Sequence, residues 1–469
     1  MIQSPKFPLP KAHVAIVGAG ASGVMLASAL VRPPISLNVV LVDPNPGRGL
    51  AHGGRDPYRL LNTRAGDMSL DPQSPSGFLD WLNVYRERSG GWSAEAFAPR
   101  SHFGDYLEHR LRTLEERTPG LGSTRIARAR ALAAERTAEG WSIRLDDGQR
   151  LTAGLLVLAT GWAKPRPLIF HGREQIEAQV QDDPWDEAAL HRLPPGGEVL
   201  LIGSGLTALD VAEAVWRRDP TTKVTAVSRH GLLPRAHVAP GGERPTFSPP
   251  YPKTARELYA KLRSAAEFVD GDSALRPGGT SRLREAAAAL WAALPVDERA
   301  TFLRLFRRYW EVERHRAPPS QAQAIKDALA EGRLQVVRGR LAEGKALPSG
   351  LCARAALITS QGPEARTVSR IINCTGLETD PFRSRNPLLL DLLAQGLAAA
   401  DPLGLGLHTG GEGEVLDAQG RPTPGLYALG PPTQGQVFEV TAVPEIRARA
   451  ASLASLVLDH ARPRQPQEA

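Results

Sequence analysis

Cysteine is nearly absent: the 469 residues include only Cys352 and Cys374. That excludes a disulfide framework, a Cys-rich zinc site and an iron–sulfur cluster, and it points to a reducing, cytoplasmic setting with no metal. No apolar run approaches the roughly 20 residues that a membrane span requires, and Met1 to Lys11 lacks the basic-then-apolar layout of a secretion signal, so no membrane association is expected. Lysine is scarce too, eight against 49 arginines, and 57 basic against 50 acidic residues leave a net charge of +7. The arginines are scattered, with no dense run and no basic strip interleaved with aromatics, so nucleic acid is not the expected partner. Guanidinium forks also grip phosphates and carboxylates, which leaves either an anionic cofactor or substrate or a merely solvated surface.

The length fits about three units at ~150 residues each, and a 42% hydrophobic content is enough to build sizeable cores. The first organised stretch is a buried-strand run, Val14 to Val17. It leads into Gly18-Ala19-Gly20-Ala21-Ser22-Gly23, an apolar helical stretch to Val31, and a second strand ending at Asp43. Each position has a mechanical task. Gly18 makes the tight turn, Gly20 lets a pyrophosphate approach the backbone beside Ser22, Gly23 packs helix on strand, and Asp43 accepts from a ribose hydroxyl. A bare glycine-rich turn is common. The ordered set of strand, glycines, helix, strand and acid is specific.

The pattern returns at Val199 to Ile202, followed by Gly203-Ser204-Gly205-Leu206-Thr207-Ala208, a helix and a strand Lys223 to Val227. Gly203, Gly205 and Ala208 repeat the three small-residue positions. No acid follows. Ser228-Arg229-His230 stands there instead, and Arg229 suits a 2′-phosphate, which favours NADPH and leaves NADH as the alternative donor. The plain alternative is a surface arginine. Two dinucleotide folds imply two dinucleotides, FAD in one and a visiting nicotinamide in the other. Two strands ending in Thr-Gly, at Leu155 to Gly161 and Arg370 to Gly376, each follow a hairpin, one about Asp147-Gly148 and one about Gln361-Gly362-Pro363. The matched pair argues for duplicated architecture.

These residues resemble the two-dinucleotide flavoproteins. Ala159-Thr160-Gly161, Gly203 to Asp210, Ser228 to His237, Asn373 to Gly376 and Glu439 to Arg447, with Leu60-Leu61-Asn62 and Arg100 through Leu107, are similar to the FAD-NAD(P)-binding family. Members of that family include a flavin-dependent urate hydroxylase and an amino-acid N-monooxygenase. The resemblance spans roughly residues 12 to 455. It implies an FAD-dependent, NAD(P)H-using monooxygenase that hydroxylates a small polar nitrogen-containing substrate with O2 through a flavin hydroperoxide. The alternatives are an NAD(P)H-dependent flavin oxidoreductase without oxygen insertion and a non-catalytic flavin-binding protein. The resemblance also places the loop Gly47 to Pro72 against the isoalloxazine, with Asn62 either bonding a flavin edge or capping the loop. Two features depart from related patterns. Ile176 and Val180 stand where ketone oxygenases carry a histidine and an aromatic, and Gly430 runs into Pro431-Pro432 instead of an aspartate, so the flavin contact there is backbone or comes from later residues. No redox cysteine pair accompanies the first nucleotide fold.

The expected fold is therefore α/β, two Rossmann-like dinucleotide-binding domains for FAD and NAD(P) with a helical insert. The FAD domain would be discontinuous, 1–195 and 336–469. The NAD(P) domain would take 196–231 and 320–335, and the insert or lid 232–319, which opens with six prolines between Pro234 and Pro252. Within it Thr301 to Arg316 has a helical stripe of Phe302, Leu305, Phe306 and Tyr309, with Arg314, His315 and Arg316 available to an anionic substrate or simply solvated. His52, His102, His237 and His315 are candidate bases by their titration range, and none is singled out as catalytic. Oligomeric state is not legible.

Overall fold

The computed structural model describes residues 11–31, 37–116, 123–193, 196–237, 251–271 and 287–461. The start of the chain and most of the proline-rich segment after Pro234 lie outside the described residues. Among the described residues, no helix is long and apolar enough to cross a membrane.

Two sheets organise the chain. The first contains β1 (Ala12–Val17), β2 (Asn38–Val42), β3 (Ser123–Ala127), β4 (Ala131–Thr137), β5 (Gly140–Leu145), β6 (Arg150–Leu158) and, from late in the sequence, β14 (Glu414–Leu416) and β15 (Pro422–Ala428). Its order is β14-β15-β6-β1-β2-β3, with β5 joining β4 to β6. The β1 run is continuously apolar because both faces are covered. Val14 and Ile16 pack against α1 (Ala21–Leu30) and α13 (Val443–Ala461), and Ala15 and Val17 face Trp141, Leu388 and Leu392. Alternate side chains of one strand thus serve two cores. Helices α2 (Gly77–Tyr85) and α3 (Arg100–Glu115) complete the first core through Phe78, Leu82, Phe103 and Leu107, and α11 (Pro387–Ala394) covers the second.

The second sheet is built from β7 (Val180–Gln181), β8 (Glu198–Ile202), β9 (Lys223–Ser228), β10 (Leu334–Ala346), β11 (Ala353–Thr359), β12 (Gly362–Val368) and β13 (Arg370–Asn373), in the order β12-β11-β10-β9-β8-β13-β7. Val199 and Leu201 of β8 pack under α5 (Leu206–Arg218) and α10 (Pro319–Ala330), while Leu200 faces Ile176, Val337 and Leu357. A short helix, α4 (Glu187–His191), precedes β8.

Both expected hairpins form, β5–β6 and β11–β12. The expected end of the second unit at 335 does not hold. Leu334 to Arg338 pairs in parallel with Val224 to Ser228, and Arg370 to Asn373 pairs with Val199 to Ile202, so residues 336–373 continue the second sheet instead of returning to the first. Val180 and Gln181 pair with β13, which takes part of 1–195 into that sheet as well. The chain returns to the first sheet only at β14 and β15.

The insert comprises α6 (Ala255–Gly271), α7 (287–292), α8 (Val296–Leu305) and α9 (Arg307–Arg314). The expected single helix over Thr301 to Arg316 breaks at Phe306, which ends α8 and starts α9. The break shifts the apolar phase. Phe302 and Trp310 are buried, whereas Leu305 and Tyr309 are 43% and 42% exposed. The insert shares its core with the first unit, since Trp291 stacks on Phe438 at 4.2 Å and Leu405 joins the same cluster. Between β15 and α13 the chain makes a short helix, α12 (Gln434–Val437).

Candidate functional site

The two glycine-rich turns are built alike. Gly18 N–H donates to Val42 O at 2.9 Å and Gly203 N–H to Val227 O at 2.8 Å. Ala159 N–H donates to Val17 O and Cys374 N–H to Ile202 O, both at 2.8 Å. Each Thr-Gly strand thus abuts the turn of its own sheet. Gly18 and Gly203 have φ of +105° and +115°, and a Cβ would lie 2.2 Å from Ala159 O at the first and 2.3 Å from Cys374 O at the second. Only glycine serves at these positions. Beneath the first turn, a Cβ on Gly23 would meet Gly18 O at 1.9 Å, while the equivalent Ala208 is accommodated and buried. Gly23→Ala is therefore expected to destabilise the protein by about 3 kcal/mol in denaturant unfolding, with Ala208→Gly milder at about 1 kcal/mol.

Gly20 and Gly205 differ from these. A Cβ on Gly20 would come no closer than 3.5 Å to Gly49 Cα, and one on Gly205 would meet nothing within 4 Å. Both cap their helices without a side-chain hydrogen bond, so the first amides of α1 and α5 face open space. Such amides, with the helix dipole behind them, bind phosphate.

One cavity of about 1520 Å³ joins the two turns. Gly18, Gly20, Ser22, Asp43 and Gly161 line its first half, and Gly203, Gly205 and Arg229 its second. Asp43 is fixed by accepting from Ala19 N–H and Asn45 N–H, each at 2.8 Å. Gly430 is not a wall residue; a Cβ there would lie 2.3 Å from Ser22 Oγ, so its smallness brings the 431–434 segment against α1. Residues Arg48 to Gly53 of the expected flavin loop line the cavity, whereas Leu61 and Met68 belong to the first core. The Asn62 backbone carbonyl pairs with His237 Nε2 at 2.9 Å, and Asn62 is not among the residues that line the cavity.

Tertiary structure adds groups that no motif marks. Arg100 is half-buried and lines the cavity, and among the described residues no carboxylate lies within salt-bridge distance of it. Asp210 lines the same chamber, raised above its ordinary value by burial, against the pull of Arg100 and of the hydrogen bond from Gln321. Thr160 Oγ1 and Gln434 Oε1 are buried, line the cavity and find no hydrogen-bond partner among the described residues. Two orphaned polar atoms beside a glycine cradle fit a large polar cofactor.

Of the four candidate histidines, His237 is tied to Asn62 and His102 packs edge-on to Trp92. His52 and His315 line the chamber. Burial, with Arg100 and Arg48 nearby, pushes His52 down to about 3, so it takes no proton at neutral pH. His315 is lowered by burial and by Arg314, with Glu439 opposing. The arginines expected to be free beside it are not. Arg314 Nε donates to Glu439 Oε2 at 2.8 Å, and Arg316 pairs with Glu313 at 3.5 Å; both guanidinium groups are buried. Arg307 and Arg308 of α9 face the cavity instead.

Residues 15–163 match a family model described as FAD-NAD(P)-binding. An FAD-dependent urate hydroxylase from Xanthomonas campestris pv. campestris is 28% identical over 370 residues, 68% of this chain and 74% of that protein. In reduced form, the ornithine hydroxylase of Pseudomonas aeruginosa superimposes with a TM-score of 0.64 at 18% identity, covering 97% of this chain and 100% of the other. The cadaverine monooxygenase of the desferrioxamine biosynthetic pathway from Erwinia amylovora, solved with FAD, gives 0.66 at 15% identity over 98% and 97%. The architecture is that of the two-dinucleotide flavoprotein monooxygenases.

Proposed function

We propose that this chain, which carries FAD-NAD(P)-binding sequence over residues 15–163, is an FAD-dependent, NADPH-using monooxygenase that hydroxylates a small polar nitrogen-containing molecule. The observation that carries the reading is the single cavity joining both glycine turns. A hydride donor anchored at one turn and an acceptor at the other share one chamber, which is the arrangement hydride transfer needs.

In this reading the first unit holds FAD. The amides of α1 and the open face of Gly20 take its pyrophosphate, Asp43 its ribose, and Thr160 and Gln434 its remaining polar edge. The second unit holds the nicotinamide nucleotide at Gly205 and the α5 amides, with Arg229 at the far ribose. FAD, when bound, supplies hydride acceptance and oxygen activation. The protein positions the partners and keeps water out. Trp162, Phe170 and Trp185 contribute apolar wall, and α9 closes the opposite side with Val312 and His315. Half-buried, and with its titration lowered by burial and by Arg314, His315 offers an imidazole that can accept a hydrogen bond from a substrate N–H. Urate, ornithine and cadaverine, which the compared enzymes are named for, all present nitrogen, and this supports the substrate class.

Thiol chemistry is disfavoured by the one cysteine near the second turn. Burial pushes the Cys374 thiol well up, and Cys352 lies elsewhere, in the connection between β10 and β11. A buried thiol without an adjacent partner does not exchange disulfides.

The test is a screen of amines, amino acids and purines for stimulated NADPH oxidation, with product mass checked for one added oxygen. Stimulation with that mass gain is the expected outcome. Electron transfer to a quinone with no oxygen insertion would establish the flavin oxidoreductase instead, and a yellow protein bleached by neither NADPH nor NADH would leave only flavin binding.

A further inference from the structure

The end of β9 carries more positive charge than Arg229. A second hollow of about 420 Å³ opens beside the main cavity and is lined by Arg229, Arg338, Arg340, Thr359 and Ser360, with Gly339 at its floor. Arg229, Gly339 and Arg340 line both, so the hollow is a side branch of the nucleotide chamber. Strand pairing explains the convergence. Arg338 of β10 stands directly beside Ser228 of β9 in parallel register, next to Arg229. Arg340 is two residues further along the same strand, on the same face.

None of these three guanidinium groups has a carboxylate partner among the described residues. In the same sheet, by contrast, Arg366 of β12 is paired with both Glu198 and Glu364. The excess charge registers on His230, which Arg308 contacts from the insert. Its imidazole is held below the ordinary histidine value first by burial and then by Arg308, Arg229 and Arg338. Gly231, with φ +63°, would place a Cβ 3.4 Å from Arg338 Cβ, so the chain after His230 lies directly over this arginine.

We propose that Arg229, Arg338 and Arg340 together form the seat for the 2′-phosphate of NADPH, and that Arg338 and Arg340 on β10 are specificity-determining residues for the nicotinamide nucleotide. The inference rests on the cofactor reading given under Proposed function. Three exposed forks on two chain segments offer a phosphate dianion more charge and more donors than Arg229 alone, since each charge-assisted contact adds. NADH presents only a hydroxyl there and leaves the cluster uncompensated, so the protein discriminates against it by repulsion among the arginines as well as by lost contacts.

The experiment measures binding of NADP+ and NAD+ to the FAD-loaded protein by calorimetry, and flavin bleaching by NADPH and NADH without oxygen, for the wild type, Arg338→Ala, Arg340→Ala and the double variant. Each single substitution is expected to weaken NADP+ about ten- to a hundredfold while changing NAD+ less than about threefold, and the double variant is expected to lose the preference. Arg338→Lys should recover part of the loss, because it restores a point charge without the fork. Equal weakening of both nucleotides, no change in either, or a wild type without NADP+ preference would overturn the assignment. If the wild-type flavin is bleached by neither nucleotide, the oxidoreductase reading fails on its own, and the calorimetric NADP+/NAD+ ratio still decides the seat.

Discussion

Gly205→Val is expected to abolish flavin reduction by NADPH while leaving the protein folded. The backbone there is extended, at φ −81° and ψ −172°, which valine adopts readily, and a Cβ meets no protein atom within 4 Å. Losing a glycine N-cap costs no more than about 1 kcal/mol, so the melting temperature should fall by less than about 4 °C. The branched side chain nevertheless fills the space through which a pyrophosphate reaches the α5 amides. The predicted signature is retained FAD absorbance, near-native melting and at least about a hundredfold loss in apparent NADPH affinity, the scale of several lost charge-assisted bonds. Gly203→Ala, two residues earlier, is the opposite case: its Cβ would lie 2.3 Å from Cys374 O, so it should destabilise the second sheet and yield little folded protein. If Gly205→Val binds NADPH normally, the turn does not hold the nucleotide. Should Gly203→Ala melt like the wild type, the matched-turn geometry is wrong.

The second large effect lies outside the cavity, where the insert is fastened to the first unit. Glu439 accepts from Trp310 Nε1 at 2.7 Å and from Arg314 Nε at 2.8 Å, with both charged groups buried. Burial alone would raise the Glu439 carboxyl, but Arg314, His315 and the Trp310 hydrogen bond outweigh it and hold the group below its ordinary value. Glu439→Gln keeps an acceptor for Trp310 and leaves the Arg314 charge uncompensated, a change that costs about 3–5 kcal/mol at buried pairs. Hydrogen exchange should report early opening of residues 287–315, and activity should fall with loss of the α9 wall. Trp310→Phe removes the hydrogen bond and part of a buried ring but keeps the Arg314 charge paired, and should cost about 2 kcal/mol. Because the folded carboxyl titrates below the unfolded one, its stabilisation is complete above the ordinary glutamate pKa and is lost as pH falls through the folded value. In the wild type the insert should therefore loosen in acid, and in Glu439→Gln that acid step should be missing. Phe438, next to this pair, has φ +56°, a costly conformation for an aromatic residue, and its stacking on Trp291 at 4.2 Å holds it there. The same few residues thus fix the insert, the strained turn and the rim of the chamber where Gln434 and Thr441 lie.

Both nucleotide turns and both hairpins were legible because their determinants are local. The contact that demands glycine at Gly23 is with a residue five positions away, and the Thr-Gly strands follow their hairpins directly in sequence. Partners far apart in the chain were not legible. Arg314 and Glu439 are separated by 125 positions, and a basic stripe on a helix looks the same whether its arginines face water or a buried carboxylate. Arg100, which no motif singles out as charged lining, proves to be a half-buried cation at the cavity wall.

The boundary at 335 marks the limit most clearly. Short apolar runs such as Arg370 to Asn373 fit either sheet equally well, since both sheets bury their parallel strands on two faces; only the register against Val199 to Ile202 assigned this one to the second. The sequence by itself determined that there are two glycine-rich turns of dinucleotide-fold type, where their glycines fall, and that an arginine replaces the acid after the second. Tertiary structure alone decided that the turns open into one chamber, that β10 brings Arg338 and Arg340 to Arg229, and which insert arginines are spent on Glu439 and Glu313. The positive φ that favours glycine is a property of the turn itself, +105° at Gly18 and +115° at Gly203, whereas the partner of a charge is set by whatever distant segment folding brings beside it.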